Sequence, residues 1–273
     1  MNIFIITDLE SVAGVVDKDK WTRFGSPYYE KAMRLLTEET NAAIRGFFDG
    51  GANTVYVLDG HGPGALDIEL LDERALYIRG ICSQQILKNK KIDALAWVGQ
   101  HAKACTNGAH MAHTGNFTLI EYKINDISVG EFGKICIGGG IYNIPAIFGA
   151  GDKAFEKEAK QLCPGIETVV VKEAFENGNG KDLAYETYYK LNVGAIHIQP
   201  IKARKLIYEG AKKAITRFKN TPETFTVLKV KPPYELYRKY RAVYSKKGYS
   251  SITKADDFEQ IIYEKEEIIK DGQ

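Results

Sequence analysis

Three short apolar runs, each closed by a residue type that binds metal, constrain this chain more than any other feature. Ile3–Thr7 runs into Asp8-x-Glu10, Thr54–Asp59 into His61, and Ala94–Gly99 into His101. Continuous apolar runs of this length suit strands buried on both faces of a parallel sheet. Between the first two, Ala32, Leu35, Leu36, Ala43, Ile44 and Phe47 recur at helical spacing, so Tyr28–Gly50 reads as a helix stopped at Gly50-Gly51. The β-α-β order predicts an α/β fold, an open and mostly parallel sheet flanked by helices. In such sheets ligands bind beyond the carboxyl ends of the strands, where Asp8, His61 and His101 all fall. Asp8 and Glu10, two apart, share one face in extended backbone.

Further along, a short strand is expected at Ala75–Ile78. Thr118–Lys123 and Ile127–Val129 flank Asn125-Asp126 as a hairpin, with Glu131 just beyond it. The Gly138-Gly139-Gly140 triplet reads as a short helix-like turn, and as tight packing and turns rather than a phosphate cradle, because no phosphate-binding pattern surrounds it. Strands are expected at Pro145–Phe148 and Thr168–Lys172. Helices are expected from Asp152, as N-cap, to Leu162 and over Pro200–Lys219. From Thr224 the composition shifts. Thr224–Lys231 alternates like a strand, Pro232–Lys247 is rich in Tyr, Lys and Arg, and Ala255–Lys270 reads as a helix carrying Phe258, Ile261, Ile262 and Ile268 as apolar positions. The expected organisation is a metal-binding α/β domain over 1–222 and a smaller C-terminal α+β extension over 223–273 packed on it.

The chain has 273 residues, enough for a sizeable core, and a formal charge of only +2. That charge argues against a strong grip on nucleic acid or an anionic membrane, although Lys231–Lys247 is locally basic. No run approaches the roughly 18 apolar residues of a membrane span. The N-terminus opens on a strand rather than a signal segment, so a cytoplasmic location is expected. The four cysteines are scattered and suit reduced thiols; Cys105, four residues past His101, reads as a small buried residue.

Taken singly, Asp8-x-Glu10 could merely cap a loop, and a loop histidine could merely bond backbone. The joint pattern carries the argument. Histidine occurs five times, and two of those fall at ends of expected parallel strands. Carboxylates that can bridge ions, together with imidazoles, suit a pair of Zn²⁺, Mn²⁺ or Co²⁺ ions. Such a pair polarises a carbonyl and acidifies a water, which serves amide or ester hydrolysis. His113 reads either as a general acid/base or oxyanion stabiliser or as a backbone-bonded loop residue. His110 reads as a bystander and His197, in the apolar run Ala195–Ile198, as structural. No Walker, Rossmann or nucleophile-elbow pattern is present.

The chain resembles the DppA-type D-aminopeptidases, a family of binuclear zinc metallopeptidases. The resemblance rests on Asp8-Leu-Glu10-Ser-Val-Ala-Gly, Asp59-Gly-His61, Gly99-Gln-His101-Ala-Lys-Ala, Ala112-His113-Thr and Ile124-Asn-Asp-Ile-Ser-Val-Gly-Glu131-Phe-Gly, in order, over residues 1–172. It implies ligation of two Zn²⁺ ions per subunit, with Mn²⁺ or Co²⁺ as alternatives, by Asp8, Glu10, His61, His101 and Glu131, with Asp8 bridging. It implies a catalytic role for His113 and a place near the site for Lys172. It further implies an aminopeptidase for short peptides with a free amino terminus, typically D-alanine-containing dipeptides or amides, working through a metal-activated water within a decamer of two pentameric rings. The chain departs from the family in Gly62-Pro63-Gly64 after His61, in an extra residue between His101 and His113, in a longer Glu176–His197 segment and beyond Thr224. The other readings are a different binuclear amidohydrolase, a phosphoesterase, or a non-catalytic peptide-binding protein associated with a dipeptide permease.

Overall fold

The computed structural model describes residues 1–191, 193–263 and 266–269. The apolar runs become β1 (Asn2–Thr7), β2 (Thr54–Asp59) and β4 (Ala94–Gln100). They sit in a seven-stranded sheet with β3 (Ala75–Ile78), β7 (Ala146–Asp152), β8 (Glu167–Ala174) and β9 (Ala195–His197). The order is β3-β2-β1-β4-β7-β8-β9, and only β9 runs antiparallel to its neighbour. Thr7 pairs with Asp59 on one side and Val98 on the other. The residues that follow these three strands therefore emerge at one edge of the sheet.

Alternation along β1 explains the layers. Ile3 and Ile5 face α1 (Tyr29–Asp49) and α6 (Pro200–Asn220); Phe4 and Ile6 face α2 (Ser83–Asn89), α3 (Glu131–Ile141) and α4 (Lys153–Leu162). Burying a side chain of this size contributes roughly 1.5–3 kcal/mol, so both faces of β1 anchor the sheet. α1 and α6 touch backbone to backbone at Gly46, where a Cβ would collide with the Tyr208 carbonyl. α6 starts at Pro200, capped by Gln199, whose side chain accepts from the N–H groups of Ile201 and Lys202. Asp152 caps α4 as expected, accepting from Phe155 N–H at 2.7 Å.

A second sheet is wholly antiparallel, in the order β12 (Glu267–Ile269), β11 (Tyr249–Ala255), β10 (Tyr234–Tyr240), β5 (Leu119–Ile124) and β6 (Ile127–Ser128). The expected hairpin is present, with Asn125 and Asp126 at φ 45° and 65° in its turn. A four-residue helix, α5 (Tyr185–Tyr188), precedes β9, and α7 (Phe258–Tyr263) packs Phe258 and Ile261 onto the second sheet. No helix among the described residues is long and apolar enough to cross a membrane.

Three expectations are corrected. The short helix-like turn expected at Gly138–Gly140 is part of the eleven-residue α3, tightly packed as expected, with Gly139 against Leu95 and Gly140 against the Leu228 carbonyl. Thr224–Lys231 forms no strand: Phe225, Leu228 and Val230 pack against different apolar clusters, so their alternation does not mark one sheet face. The helix expected over Ala255–Lys270 is only α7. Asp257 caps it by accepting from the N–H groups of Glu259 and Gln260, and the chain re-enters the sheet as β12, where Ile268 is exposed. The Lys270 end lies outside the described residues.

Candidate metal centre

Asp8 leaves β1 with its N–H on the Val98 carbonyl at 2.9 Å, and its Oδ1 accepts from Leu9 N–H at 2.8 Å. The loop that follows lies against Gly99, whose φ of +79° and missing Cβ let the Asp8 carbonyl approach. A ring of buried polar groups holds the loop from its far side. Ala13 N–H donates to Glu39 at 3.0 Å, Gly14 N–H donates to Nδ1 of His197 at 3.1 Å, and Lys172 Nζ donates to the carbonyls of Glu10 and Val15. Burial pushes the Lys172 ammonium down to about 7 and the Glu39 carboxyl up to about 8. Lys172 thus meets Glu10 through its backbone.

His61 sits on the loop after β2. Arg79, just past β3, clamps that loop by donating to the carbonyls of Asp59, His61 and Gly62 at 2.8, 3.0 and 2.6 Å. His101 follows β4. His113 ends a buried turn between the sheets, and Glu131 opens α3 with Oε1 accepting from Gly115 N–H at 2.7 Å.

The three imidazoles share one arrangement. His61 Nε2 lies 2.9 Å from the Thr22 carbonyl, His101 Nδ1 2.8 Å from the Ala102 carbonyl, and His113 Nδ1 3.0 Å from the Met111 carbonyl. A carbonyl only accepts, so each of these nitrogens carries the proton. In the neutral ring the other nitrogen is then left with a lone pair, and in all three it faces carboxylates. His61 Nδ1 is 3.2 Å from Asp8 Oδ1 and from Glu10 Oε2. His101 Nε2 is 3.2 Å from Asp8 Oδ2 and 3.7 Å from Glu131 Oε1, and His113 Nε2 is 3.9 Å from that same Glu131 oxygen. Tying one ring nitrogen to a carbonyl is how metal-ligating histidines are oriented. Two ligand groups result, Asp8 with Glu10 and His61, and His101 with His113 and Glu131. The two oxygens of Asp8 face one group each.

The charge balance points the same way. Among the described residues, the positive charge in direct contact with these carboxylates is a proton on His61 or His101. Burial opposes that proton, yet Glu10 and Asp8 push His61 up to about 12, and Glu131 and Asp8 push His101 well above its ordinary value. Burial and the charge of Glu10 raise Asp8. Glu10 Oε2 and His101 Nε2 are buried without a hydrogen-bond partner. Buried carboxylates opposite imidazole lone pairs, with orphaned polar atoms between them, fit divalent cations. His113 differs from the other two. Burial, and then the charge of His101 beside it, pull it below its ordinary value, so it stays neutral. Its ring is stacked between His101 at 4.1 Å and Phe117 at 4.5 Å.

All six residues singled out in the sequence come together here. His110 does not: it is buried beside Asp152, with Nε2 on the Val193 carbonyl at 3.1 Å. Cys105 meets Arg241 at 3.1 Å and is in neither ligand group. Sequence reasoning missed Arg79, Glu39, Thr22 and Lys134, which no motif marks. The site opens into a cavity of about 420 Å³. A larger one of about 790 Å³, beside Phe24, Tyr29 and Arg79, holds neither ligand group.

Comparison with known proteins gives the family. The family Peptidase_M55, D-aminopeptidase, matches residues 1–259. A D-aminopeptidase of Bacillus subtilis (strain 168) is 31% identical over 188 residues, 67% of this chain and 68% of that protein. A solved structure of the Zn-dependent D-aminopeptidase DppA from Bacillus subtilis, a self-compartmentalizing protease, superposes with a TM-score of 0.76 at 24% identity, over 88% of this chain and 81% of that one. The chain belongs to the D-aminopeptidase family Peptidase_M55.

Proposed function

We propose that this chain is a zinc-dependent aminopeptidase that hydrolyses short peptides with an amino-terminal D-residue. The observation that carries the reading is the shared arrangement of His61, His101 and His113, each with one nitrogen tied to a carbonyl and the other facing carboxylates. Glu10 and His61 would hold one Zn²⁺, His101 and Glu131 the other, and Asp8 would bridge them. When bound, the two ions supply Lewis acidity that polarises the scissile carbonyl and acidifies a water.

The chain's own residues do the rest. His113, neutral and with Nε2 facing the ligand groups, accepts a proton there and passes it to the departing amine. The carbonyl of Met111 holds its Nδ1–H and so keeps Nε2 open. Phe117, stacked on the ring, shields it from water. We place the chemistry in residues 1–222, with 223–273 as an extension; the pairing of β10 with β5, shortly before Glu131, supports a bracing role. The name of the solved relative, a self-compartmentalizing protease, supports a homo-oligomer, for which we propose two stacked pentameric rings.

The test is turnover of D-Ala-D-Ala, L-Ala-L-Ala and a chromogenic phosphate ester by chain supplied with Zn²⁺. Hydrolysis of the D-dipeptide in preference to the other two is expected. Phosphate release without peptide cleavage would reassign the site to phosphoester chemistry.

A further inference from the structure

The cavity over the ligand groups contains one ammonium, that of Lys134. Lys134 lies three residues after Glu131 on α3, so the two side chains leave the same helix face with Cβ atoms about 5–6 Å apart. It is half-buried. Its charge helps hold the Glu131 carboxyl down, yet its ammonium makes no hydrogen bond or ion pair among the described residues. The acidic side chains lining the same cavity, Asp8, Glu10 and Glu131, all belong to the ligand groups. Once those carboxylates face divalent cations, Lys134 has no counter-charge in the cavity.

We propose that Lys134 is a specificity-determining residue that binds the free carboxylate of a dipeptide substrate. The proposal rests on the aminopeptidase reading above and adds the substrate class. A scissile carbonyl at the ligand groups lies one residue from a dipeptide's terminal carboxylate, about 3.3–3.6 Å along extended chain. The helical offset between Glu131 and Lys134, with the lysine's flexible stem, spans that step. A longer peptide or an amide puts a neutral peptide group at the same point. The cavity volume of about 420 Å³ is in the range of small-ligand sites. Lys134 therefore favours dipeptides with a free carboxylate over amides and longer chains.

The experiment compares D-Ala-D-Ala with its C-terminal amide, using the zinc-loaded wild type, Lys134→Met and Lys134→Arg. The wild type is expected to prefer the acid. In Lys134→Met the acid-to-amide ratio of kcat/KM is expected to fall about 10- to 100-fold, through KM, as for loss of a charge-assisted hydrogen bond. Lys134→Arg is expected to keep most of the preference. An unchanged ratio in Lys134→Met, or a wild type indifferent to the carboxylate, overturns the proposal. If the wild type cleaves neither compound, the aminopeptidase reading fails. Calorimetric binding of the two intact compounds then decides the subsite separately: a loss in Lys134→Met confined to the acid upholds it, and equal binding overturns it.

Discussion

Asp8→Asn is expected to strip the chain of both cations and lower peptide turnover by about 10³-fold or more. Its two carboxylate oxygens face different ligand groups, Oδ1 toward His61 and Oδ2 toward His101, each at 3.2 Å. The substitution keeps the shape and the oxygen that accepts from Leu9 N–H, so the loop has no reason to move. It removes the negative charge that serves both groups and turns one oxygen donor into an amide. The several kcal/mol that bound metals contribute to a transition state convert to a loss of that order. Thermal denaturation gives a second readout. A ligand that binds the folded state alone raises Tm, so Zn²⁺ is expected to stabilise the wild type and to leave Asp8→Asn unmoved. Two equivalents of metal in Asp8→Asn would show that Asp8 bridges nothing.

His113→Ala is expected to reduce kcat by ~10²–10⁴ while metal content stays at the wild-type level. His113 occurs with His101 and Glu131 in one ligand group, so geometry alone admits it as a ligand. Two features set it apart. Its Nε2 approaches carboxylate only at 3.9 Å, against 3.2 Å for His61 and His101. Its ring is also pulled below its ordinary value, chiefly by burial, whereas the carboxylates raise the other two. A neutral imidazole at the edge of the ligand set is suited to taking up a proton. Elemental analysis of His113→Ala separates the roles: full metal with low kcat marks a proton carrier, and loss of one equivalent marks a ligand.

What could be read from the chain follows the range of the interactions. β1, β2 and β4 were legible because strands buried on both faces leave uninterrupted apolar runs, and the groups they aim at one edge follow directly. α1 and α6 were legible from their buried stripes and end signals. α3 was not, because three consecutive glycines oppose helix locally. Close packing of Gly138 on the Gln84 side chain, Gly139 on Leu95 and Gly140 on the Leu228 carbonyl requires them, and a single sequence does not display those contacts. β10 carries a period-two signal, with Tyr234, Leu236 and Arg238 buried and Glu235, Tyr237 and Lys239 more exposed, but its Lys and Arg content hides the buried face. The candidate ligands Asp8, His61 and His101 were legible as residues that follow strands. Arg79 acts through carbonyls distant in sequence, and such contacts leave no residue pattern.

The central claim is that Asp8, Glu10, His61, His101 and Glu131 hold two divalent cations on which hydrolysis depends. Metal content and D-Ala-D-Ala turnover, measured on the same preparation before and after chelation, test it most directly. The account predicts two equivalents of Zn²⁺ per chain, loss of turnover as they are withdrawn, and recovery when Zn²⁺ is restored. Full turnover by chain stripped of metal would contradict it.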